Sequence, residues 1–489
     1  MPAFADVTPE QVWQNWLDYY KSAGYDVTEG NRELAGDTLT LKDVAFAVES
    51  EGSNVSFVVP QVELQATGDG KVRSVYSDEF PVLISGKTAE DKDFELTANL
   101  SLPGNEMTSS GEVGDLTHEY DYPSIVVSLD KIRTGSEEVA IPTNPTFIGN
   151  TGSLRSTSGD ESSWDYTHKT EDMTFKLNVQ AENPKVNLDG SIKGVEIAGK
   201  MAGAKADVNM QDNLSAALKE GLNMDGKLNM GDLALTFDFA GTDENGAPQS
   251  GSGTVSAAPS DLFFAMSSEG LTYQGNGGKV AAEVTMMPLP FPISYGMESS
   301  TFDMQFPVSA SDDAQPFKFG YSLAGLTIGD QIWDMFDPTK QLSRDPANLE
   351  IDLTGQLKVL RDLLDPATSA AATDPTAPDA APFEPVEIVI NQLALKAIGA
   401  NIEANGKLEP SEAAGMDQPQ GNLHVRFSGV AEVVQKLAQM GLLPPDQVMA
   451  VNAMIGAFGK EDPSNPGTRT IDIEMRDDGS VFANGQQVQ

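Results

Sequence analysis

The sequence predicts a mainly β (α+β) fold: a long curved antiparallel sheet or sheets, with an N-terminal helix and two C-terminal helices. Three observations carry this expectation. Met173 to Ala181 reads Met-Thr-Phe-Lys-Leu-Asn-Val-Gln-Ala, apolar and polar residues in strict alternation, as in a strand with one face buried and the other in water. The same two-residue beat returns from about residue 38 to the C-terminus. Helical patterns do not alternate with these strands, so a parallel α/β fold is excluded.

The first element is helical. Thr8 is a good N-cap, Pro9 suits the first helical position, and Gly24 can close the C-terminus. Val12, Trp13, Trp16, Leu17 and Tyr20 share one face. That face can dock on the protein's own sheet, or serve as a lid or partner-binding surface, with Trp13, Trp16 and Tyr20 as the lid candidates.

Strand patterns follow. Val55-Phe57-Val59, Phe94-Leu96-Ala98-Leu100-Leu102, Ile125-Val127-Leu129 and Leu233-Leu235-Phe237-Phe239 each alternate, while Val186-Leu188 precedes Val195-Ile197. Gly68-Asp69-Gly70, Asp189-Gly190 and Asn245-Gly246 read as turns. Asp330 can cap a short helix carrying Ile332, Trp333 and Phe336, stopped at Asp337-Pro338. Leu349-Ile351-Leu353 is a strand leading into a helix near Gln356 to Leu364. Pro366 to Pro385 is rich in Ala, Pro, Thr and Asp, a flexible linker or loop. Strands resume at Val386-Ile388-Ile390 and Leu423-Val425-Phe427. Helices follow at about Val430 to Met440 and Asp446 to Phe458, then strands at Ile471-Ile473-Met475 and Val481-Phe482. The expected organisation is a cleavage remnant at 1–5, a β-rich region at 6–365, the connection at 366–385 and a β plus two-helix region at 386–489.

Composition narrows function. The 73 acidic and 31 basic residues give a formal charge of -42, which repels nucleic acids and anionic membrane surfaces. No basic patch relieves it; Lys and Arg are scattered singly. Cysteine is absent, removing disulfides, thiolate catalysis and Cys-based zinc or iron–sulfur sites. Ala3-Phe4-Ala5 has the small-x-small form of a signal-peptidase site, which points to export with the mature chain starting at Asp6. No stretch approaches the roughly 18 apolar residues of a membrane-spanning helix.

Chemical motifs are sparse. Of His118, His168 and His424, none has a second histidine at metal-ligand spacing. No Gly-x-Ser-x-Gly elbow, Walker motif or dinucleotide glycine motif appears. Asp243-Glu244-Asn245-Gly246 lacks the spaced ligands of a calcium loop and reads as a turn. Asp334 and Asp337 could pair for acid–base work, although helix punctuation explains them better. No catalytic residue, metal or cofactor is expected. Nine of the 18 methionines lie between Met201 and Met304. Flexible, polarisable methionine suits a surface that fits variable apolar ligands, so Met201, Met210, Met224, Met230, Met266, Met286, Met287 and Phe291 are the apolar-ligand candidates. The Pro-broken run from Met286 to Ile293 reads as a rim loop or an edge connector.

Ile332-Trp333-Asp334-Met335-Phe336-Asp337-Pro338, then Leu342-Ser343-Arg344-Asp345-Pro346-Ala347-Asn348-Leu349 and Asp352-Leu353-Thr354-Gly355, resemble a recurrent segment of domain-of-unknown-function family 2125. Gly421-Asn422-Leu423-His424-Val425 and Leu437-Ala438-Gln439-Met440-Gly441-Leu442-Leu443 resemble its C-terminal part. The resemblance implies an envelope protein of alphaproteobacteria and supplies no catalytic residues. The expectation is a non-catalytic periplasmic protein that binds or shuttles lipid or another apolar ligand along its sheet. Its alternative is a structural or assembly factor acting through contacts with another envelope protein. An outer-membrane barrel fits the alternation, but the helices and the polar ending at Gln489 oppose it.

Overall fold

The computed structural model describes residues 7–488, apart from 23, 51, 89–90, 159–161, 181–182, 204–207, 209–212, 244, 369–380 and 413. The cleavage-like Ala3-Phe4-Ala5 and the candidate Met210 lie outside the described residues. The chain is mostly β in large antiparallel sheet, with an N-terminal helix and two helices near the C-terminus. It forms two compact units. The first comprises Met1–Gly203, Gly226–Pro259 and Val284–Pro290; the second comprises Ala204–Asp225, Ser260–Glu283 and Phe291–Gln489.

The first unit opens with the helix Pro9–Ser22. Its start is a capping box: the Thr8 N–H donates to Gln11 Oε1 (2.9 Å) and the Gln11 N–H to Thr8 Oγ1 (3.3 Å). Gly24, at φ +84°, reverses the chain, and the Tyr25 N–H closes onto the Tyr20 carbonyl at 2.9 Å. Val12, Trp13 and Trp16 are buried on Leu39, Leu41, Val44, Val62, Leu64 and Val72. The helix therefore covers the apolar side of strands Thr38–Ser50, Ser53–Ala66 and Val72–Tyr76. Burial of the indole would orphan its N–H, and Trp13 Nε1 donates to Glu29 Oε1 at 2.6 Å.

Long strands in this unit share an edge between two shorter partners. Ser53–Ala66 pairs with both Val72–Tyr76 and Glu79–Lys87, and Asp115–Thr134 with both Asp93–Ser101 and Glu106–Glu112. A ladder split in this way leaves backbone groups to satisfy. Asn105, buried, does so: its Oδ1 accepts from the Tyr76 N–H, and its Nδ2 donates to the Tyr76 and Leu102 carbonyls. Beyond Asp115–Thr134 the order continues through Thr146–Thr157, Ser163–Gln180 and Lys185–Ala202 to Leu233–Thr242 and Pro248–Ala257. The Met173–Gln180 alternation forms the second half of one of these strands.

In the second unit, Ser260–Ser267, Gly270–Gly277, Ser299–Phe306, Gln315–Ile328, Ala347–Val359, Phe383–Ala397, Ala400–Ser411 and Gly415–Ser428 pair antiparallel. Helices Val430–Gln439 and Pro445–Phe458 follow, then the strand Thr468–Met475. Val433 of the first of these helices is buried.

Three local expectations are corrected. Asp189-Gly190 is not a turn but lies inside Lys185–Ala202, where Gly190 faces Phe175 and a Cβ would stand 2.2 Å from its ring. The glycine makes room for a cross-strand aromatic instead of reversing the chain. The helix expected near Gln356 is strand through Val359, held in register by Phe383–Ala397. The helix Asp330–Phe336 takes Gly329, not Asp330, as its N-cap. Asp330 instead meets Arg344 at 2.6 Å. The Pro/Ala-rich segment connects two adjacent strands of the same unit.

Truncating Trp13 would open a cavity between helix and sheet. Trp13→Ala is expected to cost about 3–5 kcal/mol in urea unfolding of the N-terminal unit. A loss below about 1 kcal/mol would show that the helix is not part of the cooperative core.

Candidate functional site

Alternation brings a row of rings onto one face of three neighbouring strands. Leu116, His118, Tyr120 and Tyr122 stand two residues apart on Asp115–Thr134. In register they face Ser156, Leu154, Gly152 and Asn150 of Thr146–Thr157. Ser156, Leu154 and Gly152 in turn face Trp164, Tyr166 and His168 of Ser163–Gln180. The helix brings Asn15, Trp16, Asp18, Tyr19 and Tyr20 to the same place. Together they enclose a cleft of about 350 Å³, walled by Trp16, Tyr76, Tyr120, Leu154, Trp164 and Tyr166 among others.

The rings are held by one another and by a directional chain of hydrogen bonds. Trp16 stacks on Tyr76 (centroids 5.8 Å, planes 18° apart) and meets His118 edge-on at 6.0 Å. Tyr166 lies parallel to His168 at 6.5 Å. Tyr120 crosses the strand between them because its register partner is Gly152, where a Cβ would sit 2.2 Å from the Tyr120 hydroxyl and 2.3 Å from the Thr167 carbonyl oxygen. The Tyr120 hydroxyl thereby reaches His168 Nδ1 at 2.7 Å. Thr170 donates to Asn150 Oδ1 (2.8 Å), so its oxygen accepts from His168 Nε2 (2.9 Å). His168 is then the neutral Nε2–H tautomer, accepting from Tyr120. Asn150 closes the chain by donating to the Tyr122 and Phe147 carbonyls.

His118 fastens the helix to the sheet. Its Nε2 lies 3.1 Å from Asn15 Oδ1, an acceptor, so Nε2 carries the proton and Nδ1 accepts from the Ser109 hydroxyl at 2.7 Å. Ser–His–Asn geometry of this kind invites comparison with a hydrolytic triad. Ser109, however, is fully buried and is not among the residues lining the cleft. Burial pushes His118 down to about 4. Burial also raises Tyr20 to about 12, and Tyr76, Tyr120 and Tyr122 are raised for the same reason. These four phenols and the His118 imidazole are therefore neutral at neutral pH. Among the described residues, Asp18 is the one carboxylate in the lining, and neither Lys nor Arg contributes to it.

Of the sequence candidates, Trp16 and Tyr20 line this cleft, while Trp13 faces the core below it. Met201 sits opposite Trp164 in register, one strand beyond the lining. Met224 and Met266 come together at a different place, a mixed polar and apolar groove of about 620 Å³ in the second unit. Met286 and Met287 are exposed, and Met230 and Phe291 are partly buried outside both spaces. The residues the sequence reading passed over are His118-x-Tyr120-x-Tyr122 and Trp164-x-Tyr166-x-His168. Their signal was available as rings at i, i+2 and i+4 on two strands that flank a third in the sheet.

Carboxylates weighed for chemistry have structural partners. Asp334 pairs with Arg344 at 2.6 Å, and Asp337, buried, accepts the N–H groups of Gln341 and Leu342. Asp243 accepts the Asn245 and Ala247 N–H groups, as in a plain turn. His424 is partly buried on its strand and meets Asp472 at 2.6 Å. Among the described residues no cluster of three potential metal ligands occurs, and no helix is long and apolar enough to cross a membrane.

Residues 263–487 match the model of domain-of-unknown-function family 2125, an uncharacterised protein conserved in bacteria. The segments that resembled this family in the sequence fall inside the match, whereas every residue lining the aromatic cleft precedes it. No curated protein and no solved structure matches the chain.

The drop of His118 from its ordinary 6.5 to about 4 links folding to pH. Between those values the unfolded chain holds a proton that the folded chain does not. Stability is therefore complete above about pH 6.5 and falls as pH drops towards 4, by about 3 kcal/mol. An NMR titration of the His118 imidazole should give a midpoint near 4; a midpoint above about 6 would contradict its burial. Gly152→Ala is expected to expel the Tyr120 ring and break its bond to His168, seen as a shift of the His168 ring resonances with the sheet intact.

Proposed function

We propose that this chain is a non-catalytic binding protein of the bacterial cell envelope, working in the periplasm, and that it holds an apolar or amphipathic ligand in the cleft beneath its N-terminal helix. One observation carries the reading: a preformed, ring-walled space in which His118 and Tyr120 are already held by hydrogen bonds within the protein. Such a space offers contact area and few reactive groups. Ligand pockets run from roughly 300 to 1,000 Å³, so a cleft of about 350 Å³ takes one acyl chain or one ring system. A whole phospholipid would leave its second chain outside. Export is supported by Ala3-Phe4-Ala5, by the absence of cysteine and by the acidic composition.

A second reading, an assembly factor, draws on the helix Pro445–Phe458. It is apolar on most sides, with Met449 and Met454 exposed, a surface of the kind that marks protein contacts. A photo-reactive residue at Met449 should then give one reproducible cross-linked partner in cells.

The cleft reading is tested with 1-octanol as the probe, by ligand-observed NMR on the full chain. Saturable binding is expected, and Leu154→Trp, which fills the cleft from its sheet wall, should remove most of it. Native mass spectrometry of gently purified protein should show a bound small molecule. A clean apo mass together with no octanol binding would overturn the proposal.

A further inference from the structure

The character of the cleft walls says more about the ligand than that it is apolar. Trp16, Tyr19, Tyr76, Tyr120, Trp164 and Tyr166 all line the space. An aromatic ring carries negative charge on its faces and positive charge at its edge. Rings grouped around one space attract a cation that has shed part of its water, above all a quaternary or alkylated ammonium. Several of these rings are set in place before any ligand arrives: Trp16 against Tyr76 and His118, and Tyr166 against His168. Preorganisation of this kind lowers the ordering cost of binding.

The charges present agree. Asp18 stands on the helix at the cleft, its Oδ1 accepting from Gln14 Nε2 at 2.9 Å. Among the described residues, no Lys or Arg lines the space to repel a cation or to hold an anion. Both histidines near the cleft are pinned in neutral tautomers by their hydrogen bonds, His118 between Ser109 and Asn15, and His168 between Tyr120 and Thr170. The chain as a whole carries a formal charge of -42, which raises the local concentration of cations and lowers that of anions.

We propose that the cleft selects amphipathic cations: its ligand has an apolar body, one chain or one ring system, and an ammonium or alkylated-ammonium head that sits among the rings near Asp18. This rests on the reading of the cleft as a ligand site and adds the head-group class to it. A neutral molecule of the same shape fills the same space but forgoes the attraction of the ring faces, and an anionic one is repelled.

The experiment compares octyltrimethylammonium, 1-octanol and octyl sulfate on the full chain, each below its micelle concentration and at moderate salt. The ammonium probe is expected to bind about tenfold more tightly than the alcohol, with the sulfate weakest. Tyr166→Leu keeps the wall apolar but removes one ring face, and should shrink the ratio of ammonium to alcohol affinity. Tyr166→Phe should restore it, and Asp18→Asn should narrow it. If alcohol and ammonium bind equally, cation selection falls while the apolar-ligand reading stands. If none of the three binds, both fall. A ratio that Tyr166→Leu leaves unchanged would assign the preference to the overall acidity of the chain and overturn the assignment to the cleft.

Discussion

The seating of Trp13 and Trp16 on the N-terminal sheet is the contact on which the rest of the first unit depends. Without it the apolar side of three strands would face water, and no wall would close the aromatic cleft. Each indole has a separate task. Trp13 points down into Leu39, Leu41 and Val62 and ends on the Glu29 carboxylate. Trp16, three residues later and so nearly one turn along, turns its face to Tyr76 and its neighbourhood to His118. The same helix is therefore core on one side and site on the other. Asn15, between the two indoles, ties it to the sheet through His118.

That arrangement accounts for how buried polarity is handled around the cleft. Asn105 and Asn150 stand where ladder pairing is interrupted, and their amides take over backbone carbonyls left at the breaks. His168 and Thr170 convey the bond from Tyr120 to Asn150, so a surface ring is anchored to a buried amide. Chains of this kind fix geometry because leaving any member unpaired in the interior is costly. Gly152 is the permissive element, since only a residue without a side chain lets Tyr120 lie across it.

Much of the fold was legible from alternation, because a half-buried strand writes its two faces into the sequence. The helix with Thr8, Pro9 and Gly24 at its ends was legible from capping chemistry, and the two C-terminal helices lie close to their expected bounds. Asp189-Gly190 misled because an aspartate–glycine pair has two uses, and only the position of Phe175 on the next strand decides between them. Gln356 to Leu364 misled because its apolar residues suit a helix, while strand pairing with Phe383–Ala397 overrides local preference. The cleft was harder still. Its rings come from the helix and from separate strands, and they meet only through register. Methionine enrichment spread its candidates over both units, and two of them, Met224 and Met266, share a groove of the second. The family resemblance rests on residues with structural work: Arg344 joins Asp330, Asp334 and the Asp337 carbonyl, so its guanidinium fastens the short helix to the following loop.

The central claim is that the ring-walled space of the first unit, and not the methionine-lined groove of the second, receives the ligand. The most direct measurement is a set of nuclear Overhauser contacts from the methylene protons of a bound alkyl probe. The account predicts contacts to the rings of Trp16, Tyr120 and Trp164. Contacts confined to Met224 and Met266, or to the exposed Met286 and Met287, would contradict it.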